Sequence, residues 1–316
     1  MKTSTPHLWN GQRYHSLNYH FQQIYGEKVY KLAIDGGFTC PNRDGTLDKR
    51  GCIFCSAGGS GDFAAPRTLS ISKQIEAGKD LLKNKHTGQR YIAYFQAFTN
   101  TYAPVEKLRA LYLEAMAHPD IAGIAIGTRP DCLGDDILQL LDELNHIKPI
   151  TVELGLQTIH EKTAKFIRRG YPLSTFETAI KDLRSIGIEV VVHTILGLPG
   201  ESEAAMLETA DYLAALKIDG LKPQLLHVLQ HTDLATYYEQ THFHILTEAE
   251  YIDILIKTIE ISHPDTVIHR LTGDGPKRIL IAPLWSGNKK QVLNGIHHEF
   301  KIRDTWQGRL CKEVHL

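Results

Sequence analysis

The feature that most constrains the fold of this chain is the alternation of apolar runs rich in β-branched residues with amphipathic helical stretches. The nearly continuous apolar run Ile188–Leu196 is typical of a strand that is buried on both faces of a parallel sheet. Repeated alternation of this kind predicts β–α units. Six candidate strands are separated by helical stretches: Val29–Gly36, Tyr91–Ala97, Ile121–Thr128, Ile150–Leu156, Ile188–Leu196 and Leu221–Val228.

Six β–α units are fewer than the eight that close a barrel, so we expect an α/β fold with an open, partial (β/α)6 barrel of the TIM type. The predicted division is an N-terminal extension at 1–28, the barrel at 29–232, and a small C-terminal α/β extension at 233–316 that packs on the barrel. In that last part we expect one or two helices, a short strand near Val267–Leu271 and a helix over about Asn288–Phe300.

Three signals mark the ends of predicted helices. Ser174 and Glu177, like Thr247 and Glu250, have the spacing of a capping box, in which two side chains satisfy backbone amides of the first turn. Gly187 follows a helical stretch directly and is expected to end it.

Three cysteines lie in one short segment, with eleven residues between Cys40 and Cys52 and two between Cys52 and Cys55. A disulfide would leave an odd cysteine, and five cysteines in 316 residues is low usage, as in a reducing compartment. Three thiolates leave one metal position open, which is typical of a catalytic iron–sulfur site. A zinc site is the alternative, although no fourth cysteine lies nearby. In that case the chain would be a zinc-stabilised binding protein and not an enzyme.

Composition adds limits on compartment and partners. The start of the chain lacks the apolar core of a signal peptide, and no apolar run is long enough to span a membrane, so we expect a cytoplasmic protein. The formal net charge is −1, which gives no strong basic field for nucleic acid. From Asp265 to the end, however, nine Lys and Arg residues face five acids, a local excess of +4. This excess is either a solvated surface or a phosphate-binding face.

Several motifs resemble the radical S-adenosylmethionine (SAM) superfamily, in its YhcC/YtqA-like group, which is related to the branch of the Elongator catalytic subunit and includes MnmL-type enzymes. The resemblance rests on the cysteine loop with Phe54 before the last cysteine, and it runs nearly end to end. The first cysteine spacing is wider than the commonest form of the superfamily, which has three residues there. The motifs are Asp35-Gly-Gly-Phe-Thr-Cys40-Pro-Asn-Arg-Asp-Gly, Val152-Glu-Leu-Gly-Leu-Gln157-Thr, His193-Thr-Ile-Leu-Gly-Leu-Pro-Gly-Glu201 and Arg303-Asp-Thr-Trp-Gln-Gly308.

The resemblance implies two cofactors. Cys40, Cys52 and Cys55 would hold three irons of a 4Fe–4S cluster, and SAM would bind the fourth iron. Reductive cleavage of SAM would then give a 5′-deoxyadenosyl radical that takes a hydrogen atom from the substrate. A flavodoxin or ferredoxin would supply the electron.

The resemblance also implies contacts with SAM. Gln96 and Asn100 follow the second strand, where the superfamily binds the methionine amino group. Glu153 suits the ribose hydroxyls, or else forms an internal ion pair. Arg168, or its neighbour Arg169, suits the methionine carboxylate, or else is simply solvated.

For the adenine ring, the resemblance points to the turn after the fifth strand, which contains Ile195 and Gly197, and to the backbone of Phe54. By spacing alone, such a glycine–proline turn is also an ordinary β–α connection.

The substrate implied by the resemblance is the wobble uridine of tRNA, with removal of the carboxymethyl part of a 5-carboxymethylaminomethyl group. A small molecule, a peptide or a tetrapyrrole remains the alternative substrate. His193, His227 and His231 lie at strand positions where a substrate could bind, but strand histidines are more often core residues. Cys132 and Cys311 are too few for a second cluster, and we expect them to be buried, inert thiols.

Overall fold

The structure is a computed structural model that describes residues 7–59, 64–85, 88–273 and 275–312. Asp274 and the two chain ends, which belong to the predicted extensions, lie outside the described residues. The strands are β1 (Tyr30–Ile34), β2 (Tyr91–Phe95), β3 (Ile121–Thr128), β4 (Ile150–Gln157), β5 (Glu189–Leu196), β6 (Gly220–Leu225), β7 (Val228–Leu229), β8 (Val267–Ile268) and β9 (Leu280–Ala282). The helices are α1 (Leu17–Tyr25), α2 (Ile71–Leu82), α3 (Val105–Ala117), α4 (Asp135–Asn145), α5 (Glu161–Phe166), α6 (Leu173–Ser185), α7 (Glu203–Ala215), α8 (Asp233–Thr241), α9 (Glu248–Ile261) and α10 (Lys289–Ile302).

The main sheet has seven strands in the order β1-β2-β3-β4-β5-β6-β8, and β7 pairs with β9 in a separate antiparallel ribbon. The register between β1, β2 and β3 is parallel, with Ala33 opposite Tyr94 and Tyr94 opposite Ala125. Because helices connect successive parallel strands, the carboxyl ends of the strands meet at one edge, where active sites of such folds lie. The predicted parallel sheet of β–α units is therefore confirmed.

The sheet differs from the prediction by one strand. All six expected strands are present, and the short strand expected near Val267–Leu271 is present as Val267–Ile268. It pairs in parallel with β6 and so becomes a seventh strand of the main sheet, a pairing that the sequence did not predict. Helix α1 was also not predicted, because its mixture of aromatic, histidine and glutamine residues shows no clear period.

The two capping predictions have different outcomes. Thr247 and Glu250 form the expected capping box at the start of α9. The prediction for Ser174 is wrong, because α6 already begins at Leu173 and Pro172 is its N-cap residue. Proline has no backbone N–H and a fixed φ, so it starts a helix without a capping side chain. Gly187 follows the end of α6 with a φ of 69°, as expected for a helix stop.

The chain divides into two compact units, which cut across β4 and β5. The unit that contains the three cysteines, here called the cysteine unit, comprises Phe21–Leu156 and Arg168–Val191. The other, here called the C-terminal unit, comprises Met1–His20, Gln157–Ile167 and Val192–Leu316. The boundaries predicted at residues 28 and 232 do not coincide with this division, and we keep them only as a proposal. Within the described residues, none of the helices combines the length and the apolar character needed to cross a membrane.

In the cysteine unit, one face of the sheet carries the helices. Phe95 of β2 packs edge-to-face on Tyr112 of α3, with ring centroids 5.0 Å apart. Side chains alternate between the two faces of a strand, so Tyr94 and Lys31 lie on the face opposite to these helices. That second face is therefore the one that can carry polar groups of a site.

In the C-terminal unit, the tail motif Arg303–Gly308 connects separate segments of the chain through hydrogen bonds. Gln307 is almost completely buried, and its side-chain amide donates hydrogen bonds of 2.7 Å to the carbonyl oxygens of His263 and Thr266. Its backbone N–H bonds the carbonyl oxygen of Arg13. Thus the motif joins the N-terminal segment to the segment that leads into β8.

Candidate functional site

The loop after β1 folds back on itself and brings the three cysteines together. The backbone N–H groups of Arg43 and Asp44 both donate to the carbonyl oxygen of Cys40, and that of Cys55 donates to Cys52 at 3.0 Å. The N–H of Gly51 donates to the carbonyl oxygen of Asn42 at 2.7 Å. The eleven-residue spacer is therefore an ordered turn that returns Cys52 to the neighbourhood of Cys40.

Asn42 connects this loop to the segment after α5. It is 2% exposed, and its side-chain amide donates to the carbonyl oxygen of Arg168 at 2.7 Å. The same nitrogen lies 3.5 Å from Sγ of Cys52, whose thiol also faces the carbonyl oxygen of Arg168 at 3.5 Å. Arg168 has a φ of 58°. Its backbone thus lies directly beside one of the predicted metal ligands.

Arg43 holds the second part of the loop. Its guanidinium donates to the carbonyl oxygens of Cys55 at 2.9 Å and Ser56 at 2.6 Å, and it lies 5.7 Å from the ring centroid of Phe98. Gly51 has a φ of 78°, and a Cβ at this position would approach Arg43 Nε to 2.9 Å. A glycine is needed here for both reasons.

The thiol of Cys52 is in an environment that disfavours its charge. Burial, with a smaller contribution from Cys55, raises its pKa to about 11, and the nearby Arg129 and Asn42 act in the opposite direction. Cysteine binds a metal in its deprotonated form, the thiolate. Formation of the thiolate at this position therefore depends on compensating positive charge, which Arg129 and a bound metal supply.

The spacing of the thiols distinguishes between the two metal hypotheses. A single zinc ion with Zn–S bonds of about 2.3 Å holds its sulfur ligands within about 4 Å of one another. Among the described residues, one group of His, Cys, Asp or Glu side chains has its ligand atoms all within 4.8 Å of one another, and it consists of Glu76, His118 and Asp120. The three cysteines do not form such a group. Three thiols on one ordered loop that do not all lie within 4.8 Å of one another fit a cluster of several irons better than one zinc ion.

The loop after β2 is fixed to its surroundings. The backbone N–H of Thr99 donates to the carbonyl oxygen of Thr39, the residue before Cys40. Asn100 is completely buried, and its amide donates to Gly127 at 2.7 Å. Its Oδ1 has no hydrogen-bond partner among the described residues. Gln96 is half-exposed, so its side chain is the more accessible of the two predicted SAM contacts on this loop.

Glu153 of β4 forms an ion pair with Lys31 of β1, with Oε1 and Nζ 2.6 Å apart. The side chain of Glu153 is 0% exposed, and the ammonium of Lys31 also lies 5.3 Å from the ring centroid of Tyr94. This is the internal ion pair that the sequence left open as an alternative. A contact of Glu153 with ribose stays a prediction, and it would require the carboxylate to serve both partners.

The two neighbouring arginines have different environments. Arg169 is 2% exposed, and its guanidinium donates to the carbonyl oxygens of Tyr171 and Leu156. Arg168 is half-exposed and lies beside Cys52. Of the two, Arg168 is therefore the one suited to bind a methionine carboxylate.

The predicted adenine turn lies in the C-terminal unit. Gly197 has a φ of 90°, and a Cβ there would approach Leu246 to 3.1 Å, so the turn requires glycine. Ile195 is 7% exposed, at the end of β5. Glu201, at the end of the same motif, accepts a hydrogen bond of 2.6 Å from the hydroxyl of Thr158. Burial raises the pKa of Glu201, against the opposing hydrogen bonds.

The histidines and the remaining cysteines have local partners. His193 pairs with Gln224 at 2.9 Å, and His227 pairs with Ser286 at 3.1 Å. Cys132 is half-buried, and burial raises the pKa of its thiol to about 12; that this thiol is inert stays a prediction. His231 and Cys311 stay without a structural assignment to the site.

Four residues of the cysteine unit were missed by sequence reasoning. Asn42 and Arg43 lie inside the recognised loop, and the loop motif was the signal that could have drawn attention to them. Lys31 and Arg129 gave no signal, because their partners Glu153 and Tyr171 are distant in sequence.

Comparisons with known proteins agree with the resemblance that the sequence motifs indicated. A sequence model described as the Radical SAM superfamily matches residues 47–213, and one described as the Radical_SAM C-terminal domain matches residues 218–301. The chain is 46% identical to the uncharacterized protein YtqA of Bacillus subtilis, over 98% of this chain and 96% of that protein.

Two more distant similarities concern archaeal proteins. The tRNA uridine(34) acetyltransferase of Methanocaldococcus jannaschii is 25% identical over 64% of this chain and 37% of its own length. The solved structure of Methanocaldococcus infernus Elp3 has a TM-score of 0.67 and 16% identity, and it covers 88% of this chain and 64% of that chain. At this identity the likeness concerns the fold, and it confirms the expected α/β partial-barrel class.

Proposed function

Since the chain belongs to the radical SAM superfamily, in the group of YhcC and YtqA, we propose that it modifies the wobble uridine of tRNA. The proposed reaction takes a hydrogen atom from the glycine-derived methylene of 5-carboxymethylaminomethyluridine, which forms 5′-deoxyadenosine, and one further electron is returned to the electron-transfer partner to give an imine. Water hydrolyses the imine, which breaks the bond between nitrogen and the carboxymethyl carbon and leaves 5-aminomethyluridine and glyoxylate. It takes place in the cytoplasm, with a flavodoxin or ferredoxin as the electron donor.

The family membership defines the enzyme class. The chain is an enzyme that binds a 4Fe–4S cluster and SAM, and the zinc-protein alternative is therefore wrong. When bound, the cluster supplies the electron for reductive cleavage of SAM, which provides the radical that takes a hydrogen atom from the substrate. The residues of this chain bind and orient the cluster and SAM and compensate their charges.

We assign the metal ligands to Cys40, Cys52 and Cys55, on the order of the loop and the spacing of its thiols. Asn42 keeps the thiol of Cys52 beside the carbonyl oxygen of Arg168. The side chain of Arg168 is assigned by resemblance to the methionine carboxylate, with which a guanidinium forms paired hydrogen bonds.

The other SAM contacts are assigned by resemblance. Gln96 is assigned to the methionine amino group. Asn100 is assigned to the same contact indirectly, because its buried amide fixes the conformation of the loop after β2. The backbones of Phe54, Ile195 and Gly197 are assigned to adenine. Gly197 is compatible with this assignment because glycine, which its φ of 90° favours, adds no side chain of its own to the turn.

The observation that carries the choice of tRNA is the similarity to the tRNA uridine(34) acetyltransferase, which extends over 64% of this chain. The surface charge of the C-terminal unit supports it in part. Some of the basic residues counted in the sequence are used in ion pairs, such as Arg303 with Asp253 and Lys312 with Asp211. Four exposed ones have no ion pair among the described residues: Lys277, Arg278, Lys290 and Lys301.

Binding of tRNA to these four residues can be tested by charge reversal. We expect Lys277→Glu with Lys290→Glu to weaken tRNA binding and to reduce the slope of log affinity against log salt by about 1 to 2, since each phosphate contact contributes about 0.7 to 0.9. Lys312→Glu is the matched control, because the ammonium of Lys312 already pairs with Asp211. Binding that is equally weak and salt-independent in all forms, wild type included, would reject tRNA as the substrate and favour a small molecule, peptide or tetrapyrrole.

A further inference from the structure

Arg129 carries a buried, fixed positive charge beside the cysteine loop. It directly follows β3 and is 9% exposed. Its Nε and Nη2 donate to the two carboxylate oxygens of Asp131 at 2.9 and 2.7 Å, a paired arrangement. Its guanidinium also lies 5.2 Å from the ring centroid of Tyr171. With both contacts in place, the guanidinium has little freedom to move.

The guanidinium lies near a side chain that contacts one of the assigned metal ligands. A Cβ added at Gly170 would lie 3.1 Å from Arg129 Nη2 and 2.9 Å from Asn42 Oδ1, so these two side chains flank the same glycine. Asn42 in turn lies 3.5 Å from Sγ of Cys52. The charge of Arg129 acts on both Cys40 and Cys52.

The two members of the Arg129–Asp131 pair have different neighbours. Oδ1 of Asp131 lies 4.0 Å from Sγ of Cys132, which is not an assigned ligand. The guanidinium of Arg129 lies beside the side chain of Asn42, which is 3.5 Å from Sγ of Cys52. Although Arg129 and Asp131 together are neutral, the cation is thus the member of the pair that lies next to a contact of Cys52.

A cluster that takes up one electron becomes one charge more negative. In a site of low dielectric constant, a nearby cation stabilises the more negative state, and the reduction potential of iron–sulfur clusters depends on net charge and on hydrogen bonds to sulfur. The electron comes from a one-electron donor protein, which is oxidised as the cluster is reduced.

We propose that Arg129 is a positioning residue that makes the cluster easier to reduce, and that Asp131 and Tyr171 hold its guanidinium in place. The inference rests on the assignment of the cluster to Cys40, Cys52 and Cys55. It adds a role in electron uptake, which is independent of whether the substrate is tRNA.

The test is an anaerobic redox titration of the reconstituted protein, followed by the electron paramagnetic resonance signal of the reduced cluster. We expect Arg129→Gln to lower the ratio of reduced to oxidised cluster about tenfold at a fixed potential, a shift of about 59 mV to more negative values. Arg129→Lys keeps the charge and should recover most of this shift. Iron and sulfide per chain are measured in each form, so that loss of the cluster is not mistaken for a change in potential.

Asp131→Asn gives a test with the opposite sign. It removes the anion while keeping the size of the side chain, so we expect a shift to more positive potential. A purely structural role of the pair predicts no such change of sign. If Arg129→Gln retains its iron with an unchanged potential, or if Asp131→Asn shifts the potential to more negative values, the proposal is wrong. Should Arg129→Gln fail to bind iron, Asp131→Asn and Arg129→Lys decide the question.

Arg169→Gln is the matched control. Arg169 is also buried, its guanidinium lies 4.8 Å from the ring centroid of the same Tyr171, and it donates hydrogen bonds to the backbone carbonyl oxygens of Tyr171 and Leu156. We expect a smaller shift than in Arg129→Gln. An equal or larger shift would show that the effect is not specific to Arg129.

Discussion

The side-chain amide of Asn42 donates a hydrogen bond of 2.7 Å to the backbone carbonyl oxygen of Arg168, and so joins the cysteine loop to the segment after α5. These two residues are 126 positions apart in the sequence. Through this bond, a metal ligand loop and a candidate SAM contact become parts of one ordered site. The first prediction concerns this bond.

Asn42→Ala should destabilise the metal-free protein by about 1 to 3 kcal/mol, because it removes the amide that donates to a part-buried carbonyl oxygen at 2.7 Å. Urea unfolding of the metal-free protein measures this change. Asn42→Asp keeps the size but removes the donor, and should be at least as unstable. If both variants unfold at the wild-type urea concentration, the bond does not stabilise the site.

Replacement of Cys40, Cys52 or Cys55 by alanine, one at a time, should abolish binding of the cluster, since each thiolate holds one iron. The measurement is iron and sulfide per chain after anaerobic reconstitution, together with the broad visible absorption of the cluster. Cys132→Ala and Cys311→Ala are the controls and should retain it. Equal loss of iron in all five variants would contradict the assignment of the ligands.

Lys31→Met should destabilise the protein by about 3 to 5 kcal/mol, because it removes the Lys31 ammonium from the buried carboxylate of Glu153. Lys31→Met combined with Glu153→Leu should recover much of this loss. Lys79→Met is the control, since Lys79 pairs with Asp120 at the same distance of 2.6 Å but on the surface, where such a pair contributes less than about 1 kcal/mol. Similar urea midpoints for Lys31→Met and Lys79→Met would show that burial of the pair has no energetic consequence.

Glu201 should make stability depend on pH. Burial raises its pKa in the folded state above the ordinary value of 4.5, so the folded protein binds this proton more tightly than the unfolded chain does. Its contribution to stability is therefore greatest below pH 4.5 and is lost as pH rises toward the folded-state pKa. The variant Glu201→Gln has no ionisable carboxyl group at this position, so its stability should not show this decrease with pH.

Urea unfolding of wild type and Glu201→Gln at a series of pH values from about 4 to 8 measures the effect. The stability of the variant relative to wild type should increase with pH over the lower part of this range. A difference that is constant with pH would mean that the carboxyl group is not penalised by burial.

Much of the fold could be predicted from the sequence, because it is written in local patterns. Apolar runs such as Ile121–Thr128 gave the strands, and the Thr247–Glu250 spacing gave a helix start. A short strand near Val267 could be predicted, but its pairing with Gly220 and Leu221 in the main sheet could not, because that pairing is set by tertiary contacts and not by a local pattern.

The candidate site, like the fold, could be predicted only where the signal is local in the sequence. The three cysteines are close in sequence and their spacing is informative. The charges around them are not, because Arg129 and Tyr171 meet only after folding, and Lys31 reaches Glu153 from a different strand. A single sequence carries no signal for such pairs.

The central claim is most directly tested by mass spectrometry of nucleosides from tRNA that carries 5-carboxymethylaminomethyluridine, after incubation with the reconstituted enzyme, SAM and a reductant. The account predicts loss of this nucleoside, formation of 5-aminomethyluridine and a matching amount of 5′-deoxyadenosine, none of which occurs with Cys52→Ala. An unchanged nucleoside profile, while SAM is still cleaved, would contradict the assignment of tRNA wobble uridine as the substrate.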